Sequence, residues 1–386
     1  MARAMPLPPQ RADREPAPSW ADRFTAWRES LTARPGFRAW AARFPLTRPL
    51  ARRRARELFD LCAGFVYSQV LAACVRLKLF EILHEAPMSE AALAARCGLA
   101  PEAMNRLLVA AESLRLVRRR ADGAWALGEL GAAMIGNPGI AAMVEHHAML
   151  YADLADPVAL LRRERGGTAL AQYWAYAGAA RPDALPGEKV ADYTALMAAS
   201  QPMVAQEVLA AYRFGAHRRL MDVGGGSGAF LAAVGQANPG LDLLLFDLPA
   251  VARIAEARLA AAGLSARSAA VGGSFVDDPL PGGADLITLI RVAYDHDDAR
   301  VLALLKKIRA ALPADGTLLL AEPMRSDAGD DPMADAYFGF YLMAMGRGRA
   351  RSFDEFRQLL QAAGFGRIER LRSRAPLLTS LITARP

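Results

Sequence analysis

Hydrophobic and polar positions change rhythm partway along the chain. As far as residue 218, apolar residues recur mainly at helical spacing. From Glu57 to Leu83 they predict one long amphipathic helix. Ser89 is placed as an N-cap and Gly98 as a stop for a short helix between them. Pro101 opens another, Glu102–Leu114. Leu116–Arg120 and Ala124–Leu127, joined by Ala121-Asp122-Gly123, predict a two-stranded wing. Helix, turn, helix, wing makes a winged-helix module, and residues 131–218 continue as mostly helix. Beyond 218, short apolar runs alternate with helical ones. Strands are predicted at Leu220–Val223, Leu241–Phe246, Ala269–Val271, Asp285–Val292, Thr317–Ala321, Arg367–Arg372 and Leu377–Thr383. Helices fall at Ala229–Gln236, Ala250–Leu264, Asp297–Leu312 and Ser352–Ala363. Such alternation predicts an open α/β sheet, here of seven strands.

The first of these strands leads into Gly224, Gly225, Gly226 and Gly228 before a helix begins. In open α/β sheets small ligands sit beyond the carboxyl ends of the strands, and glycine lets backbone approach them. Gly224, Gly226 and Ala229 also fit the dinucleotide pattern G-x-G-x-x-G/A. Asp222, at the strand's end, could meet an ammonium or sulfonium group. Asp247, at the end of the second strand, could hold two ribose hydroxyls. These features favour a sulfonium-bearing nucleoside over a nicotinamide dinucleotide.

Charge is concentrated at one end. Residues 1–60 hold 13 arginines and 6 acids, while the rest of the chain is neutral. Residues 1–20, rich in proline and charge, are expected to be disordered. Residues 21–56 interleave arginine with Trp27, Trp40, Phe37 and Phe44. Such an arm could meet an anionic membrane surface, or pack across a partner subunit. No apolar segment follows the first arginines as in a signal peptide. The apolar stretch Leu61–Val75 is short for a span of ~20 residues, so a soluble cytoplasmic protein is expected. Cys62, Cys74 and Cys97 lack a metal or disulfide spacing and are expected as reduced, mostly buried thiols. No metal site is expected, and His146-His147 is read as a structural or dimer-contact pair.

Motif order makes the reading more specific. Leu79-Phe-Glu-Ile-Leu83, the winged helix, Asp222-Val-Gly-Gly-Gly-Ser-Gly228, Phe246-Asp-Leu-Pro249, Tyr294-Asp-His-Asp-Asp298 and Leu312–Glu322 follow one another. In that order the chain, from about residue 55 to 386, resembles the plant-type and bacterial small-molecule O-methyltransferases. The segments Phe37–Pro49, Arg291–Asp298 and Ala336–Arg349 are similar to the hydroxycarotenoid branch of that family in photosynthetic bacteria. Relatives that methylate the bacteriochlorophyll ring are the near alternative. A winged-helix regulator that binds the nucleoside without catalysis is a further one. The resemblance implies a class I S-adenosylmethionine (SAM) methyltransferase domain at 219–386. It implies a winged-helix dimerisation domain at 55–150, a helical linker at 151–218 and an N-terminal arm at 1–54. It also implies that the module joins two copies of the chain rather than reading nucleic acid, since Asn105 and Arg106 are the only polar base readers on its second helix.

The resemblance further implies site residues. Gly224, Gly226, Gly228 and Asp222 would hold the methionine end of SAM, and Asp247 with Leu248 the ribose. Gly273, Ser274 and Phe275 would hold the adenine edge, where the family often has Asp-Met. Arg291, read from its position alone, either approaches the cofactor or makes a structural salt bridge. Met197 lies in a segment that resembles the family's acceptor-contacting one, or is plain core. Tyr337, Phe340 and Met343, crowded in an apolar run, are taken to line the acceptor, with core or dimer packing the alternative for half of that run. The family's histidine base falls at Tyr294, and His296 falls at the family's tryptophan. Glu322 matches the carboxylate that orients the base, whereas the second family carboxylate is Ala350 here. Tyrosine, with an ordinary pKa of about 10, is a poor base at neutral pH. Either Tyr294 orients the acceptor, or His296 serves as base, or the reaction is not O-methylation. For a tertiary alcohol on a carotenoid, positioning in a dry apolar tunnel would carry more of the rate than a strong base.

Overall fold

The computed structural model describes residues 19–162, 167–173, 201–327, 333–372 and 379–386. The chain divides into two units, Met1–Val70 and Leu71–Pro386. In the first, α1 (Trp20–Ala33) starts with a capping box between Ser19 and Asp22, and α2 (Pro35–Arg43) starts on a proline. Arg38 donates to the carbonyls of Thr32 and Ala33, closing the end of α1. The helix α3 (Arg48–Arg76) begins in this unit and crosses into the second. It starts nine residues before the expected Glu57, because Arg52–Arg54 are good helix formers and Pro49 sits in its first turn. It ends before Leu83 because Lys78 takes a left-handed conformation, φ 53°, and restarts the chain as α4 (Leu79–Glu85). The longer helix also changes the reading of Leu61–Val75. An 18-residue window of α3 has a mean hydropathy of 1.7, long and apolar enough to cross a membrane by composition.

The second unit opens with the winged helix. α5 (Glu90–Cys97) is capped by Ser89, and α6 (Pro101–Ser113) follows. The wing is β1 (Val117–Arg119) against β2 (Trp125–Leu127). Leu79, Phe80, Leu93, Met104, Leu108, Val117 and Trp125 are its buried core. On the outer side, Asn105 is tied to Glu90. Cys74 is buried and Cys97 half-buried, but Cys62 is exposed, against expectation: its turn of α3 is covered by nothing within its unit. The helices α7 (Glu129–Met134) and α8 (Pro138–Asp153) lead on from this module.

The rest of the unit is built on a seven-stranded sheet. Its strands are β3 (Arg219–Val223), β4 (Asp242–Asp247), β5 (Ser268–Gly272), β6 (Leu286–Ile290), β7 (Thr317–Glu322), β10 (Arg367–Leu371) and β11 (Ser380–Arg385). In space the order is β10-β11-β7-β6-β3-β4-β5. β3 to β7 run parallel, and β11 is antiparallel to both its neighbours. Parallel central strands are apolar on both faces. Met221, Val223, Ile287, Leu289, Leu318 and Leu320 pack into one core, Leu220, Leu243, Leu245, Leu286 and Leu319 into the other. The strand order reverses between β3 and β6, so a crevice opens there beyond the carboxyl ends. A short pair, β8 (Met324–Arg325) beside β9 (Arg351–Ser352), brings Arg351 back to that end of the sheet.

Candidate active site

The glycine turn after β3 is shaped for a ligand. Gly224, Gly226 and Gly228 all have positive φ, at 69°, 57° and 73°. A Cβ on Gly224 would lie 2.8 Å from Val292, and one on Gly225 would lie 2.5 Å from the Asp222 carboxylate. Gly226 faces open space instead. Beneath the turn, Asp222 is buried. Its Oδ1 accepts from the Thr288 hydroxyl at 2.7 Å, and its Oδ2 has no partner among the described residues. Burial, with the nearby Asp247 charge adding, pushes its carboxyl up to about 7. A buried carboxylate oxygen without a partner is costly unless a cation or donor arrives.

Asp247 ends β4 and ties the two strand ends together. It accepts from the Gly226 N–H at 2.8 Å and from the Leu248 N–H at 2.7 Å. A carboxylate has further lone pairs, so both oxygens can still accept from hydroxyls. Beyond β5, the Gly273 N–H donates to the Asp247 carbonyl. The Ser274 hydroxyl donates to Asp277 and accepts from the Val276 N–H, so it caps its own turn. Lys307 fixes this loop by donating to the carbonyls of Phe275, Val276 and Asp278. The Phe275 ring stands edge-on to His296, centroids 5.4 Å apart. The loop after β5 therefore touches the loop after β6.

That second loop is held by its main chain. Glu322, fully buried at the end of β7, accepts from the N–H groups of Val292, Ala293 and Tyr294 at 2.9, 2.7 and 3.3 Å. Burial raises its carboxyl to about 7, and these bonds oppose the rise. Arg351 is as deeply buried and grips the other side. It donates to the carbonyls of Ala293 and His296 at 2.8 and 2.7 Å and pairs with Asp298. Arg291 enters the turn with φ 56°, an unusual conformation for a side-chain-bearing residue. Its charge lies near Tyr294, Asp295 and Tyr337, lowering each of their pKa values. Burial nevertheless drives the Tyr294 phenol well above its ordinary value, with the Asp295 charge adding. Asp295 is likewise raised by burial and by Glu322, and its Oδ1 has no partner among the described residues. Burial lowers His296 to about 4, and its Nδ1 is also without a partner among them.

Tyr294 belongs to an apolar cluster with Leu150, Leu160, Leu170, Phe338, Tyr341, Leu342 and Met345, edged by Tyr337 and Met343. Phe340 lies outside it: on the Phe338–Met345 helix it takes the opposite face and is 36% exposed. Met197 lies outside the described residues. Two contacts escaped the sequence. His146 and His147 of α8 meet the Tyr341 and Tyr337 hydroxyls, each at 2.7 Å. Burial holds His146 at about 4 and lowers His147 too. Partners some 190 residues away leave no local pattern. Among the described residues no group of three or more His, Cys, Asp or Glu is placed for a metal.

A sheet in this order with an antiparallel β11, a glycine turn at the switch point, and Asp222 and Asp247 at the carboxyl ends of β3 and β4 has the architecture of a class I SAM-dependent methyltransferase. The unpartnered Asp222 oxygen and the open side of Gly226 fit such a cofactor. Residues 151–366 match the O-methyltransferase domain and residues 59–137 the O-methyltransferase dimerisation domain. The chain belongs to this family of SAM-dependent O-methyltransferases. It is 48% identical to the demethylspheroidene O-methyltransferase of Cereibacter sphaeroides, over 90% of this chain and 91% of that one. It is 32% identical to the acetylserotonin O-methyltransferase of Mus musculus, over 84% and 87% of the two chains. The structure of human N-acetylserotonin methyltransferase with SAM is similar at a TM-score of 0.71 and 25% identity, covering 86% of this chain and 97% of that one.

Proposed function

We propose that the chain methylates a hydroxyl on a bulky apolar acceptor, the tertiary hydroxyl of an acyclic carotenoid. The buried cluster around Tyr294 carries this reading: it surrounds the expected acceptor position with apolar and aromatic groups, while Glu322, whose carboxyl burial raises to about 7, is buried and taken up by three main-chain N–H groups. The relative at 48% identity, named for demethylspheroidene, supports the same acceptor class. Bound SAM supplies a methyl group already activated on a sulfonium. Asp222 and the Gly224–Gly228 turn hold its methionine end, Asp247 and Leu248 its ribose, and Gly273, Ser274 and Phe275 its adenine edge. Arg291 sits between cofactor and acceptor. Tyr294 hydrogen-bonds the acceptor oxygen and orients it in line with the methyl group. The proton then leaves to His296, which is neutral at pH 7, or to water. Glu322 and Arg351 fix the turn that carries both residues. Tyr337 and Met343 line the acceptor, and the Ser274 side chain serves its own turn. The enzyme works in the cytoplasm as a homodimer through its dimerisation domain, without nucleic acid.

The test is incubation with methyl-labelled SAM and two pigment extracts, one of hydroxylated acyclic carotenoids and one of chlorophyll precursors. Label in the carotenoid fraction as an ether is expected. Label in the tetrapyrrole alone would overturn the acceptor. Asp247→Ala should lose SAM affinity, and full retention would overturn the cofactor assignment.

A further inference from the structure

The first unit carries a surface that methyl transfer does not use. α1 sets Trp20, Phe24 and Trp27 along one face, with ring centroids 5.8 and 5.7 Å apart in series. α2 repeats the device with Phe37, Trp40 and Phe44, at 5.6 and 5.0 Å. Spacings of three and four residues put each set on one helical face. Within their unit these faces are uncovered: Trp20 is 80% exposed, Trp27 57% and Trp40 50%, and Leu46 and Leu50 continue the apolar surface. Exposed apolar patches of this kind mark interaction sites.

Charge selects the occupant. Residues 19–56 hold ten arginines against two acids, Asp22 and Glu29. Asp22 is engaged in the cap of α1. Among the described residues of this unit, Arg53–Glu57 is the only salt bridge. A second copy of the same surface would bring like charge against like. The surface also precedes the dimerisation-domain match, which begins at residue 59. Nucleic acid would suit the arginines, but the rings already stack on one another, and the leucines have nothing to gain from a polyanion in water. A lipid bilayer takes both: Trp and Phe rest at the acyl boundary while arginine stems reach to headgroup phosphates.

We propose that residues 19–56 dock the enzyme on an anionic lipid bilayer through the Trp20–Phe24–Trp27 and Phe37–Trp40–Phe44 faces, with Arg52, Arg53 and Arg54 among the groups that meet the phosphates. The proposal stands apart from the identity of the acceptor. Its test is flotation of the full-length protein with phosphatidylcholine vesicles, with and without phosphatidylglycerol. The protein should float with the anionic vesicles only, come off as salt is raised, and shift its tryptophan emission to the blue on binding. Changing Arg52, Arg53 and Arg54 to Glu should weaken binding by about a hundredfold. Changing Trp20, Trp27 and Trp40 to Ala should abolish it together with the emission shift. Both variants should bind SAM as the parent does, which establishes that they are folded. Failure of the parent to float with anionic vesicles would overturn the proposal, as would flotation unaffected by either set of changes. A Trp variant that drops to a smaller assembly in light scattering while the parent ignores vesicles would assign the face to a second copy. Retention of the parent by single-stranded DNA but not by vesicles would assign it to nucleic acid.

Discussion

Asp222 has one oxygen satisfied by Thr288 and one without a described partner, in a site that lifts its carboxyl to about 7. A cationic ligand group prefers the ionised form. SAM affinity of the free enzyme should therefore fall as pH drops from 7 to 6, because the proton must leave before the cation binds. Titration calorimetry should show this slope, and Asp222→Asn should bind more weakly with the slope gone. Arg351 makes a different prediction. Its removal would strand the carbonyls of Ala293 and His296 and release Asp298. Arg351→Met should destabilise the protein by about 3 kcal/mol in denaturant titration. The sequence announced Asp222 because it stands one residue from a glycine run. It did not announce Arg351 or Lys307, whose bonds run from a side chain to main-chain carbonyls 29 to 58 residues away. A carbonyl acceptor leaves no mark on residue type. Tyr294 was legible as a departure from the family base, but only its burial showed how far its phenol is from losing a proton.

At the scale of elements, the turn after β3 is the most constrained piece. Gly224→Ala would place a Cβ against Val292 at positive φ, a strain of roughly 1–2 kcal/mol before any ligand binds. The variant should fold, by circular dichroism, and bind SAM at least about tenfold more weakly. The strands of the sheet were legible because parallel central strands are short unbroken apolar runs. The length of α3 was harder to see. Its first turns carry Arg52–Arg54 and look like a polar linker, and its end is set by a left-handed lysine rather than a glycine. In the apolar segment Tyr337–Met345 half of the residues are expected to be core, with Tyr337, Phe340 and Met343 taken for the acceptor. Phe338, Tyr341, Leu342 and Met345 are buried with Tyr294, and Phe340 is left outside that cluster.

For the molecule as a whole, the dimerisation domain makes a prediction about assembly. Within the first unit, α3 leaves Phe59, Leu61 and Phe65 exposed, inside the matched dimerisation range. Changing Leu61 and Phe65 to Asp should give a monomer by light scattering. The two histidine–tyrosine bonds carry a further consequence. α8 follows the winged helix after the short α7, and His146 and His147 bolt it to Tyr341 and Tyr337 beside the Tyr294 cluster. The winged helix and the sheet then share one fate on heating: calorimetry at pH 7.5 should record them melting in one transition rather than two. Acid should undo this. Burial holds His146 below its ordinary 6.5, at about 4, so the unfolded chain takes up the proton first, and this share of stability, complete above 6.5, drains away as pH falls toward 4. Near that lower limit the single melting peak should separate into two, and His146→Leu, which removes the Tyr341 bond at every pH, should already show two at pH 7.5.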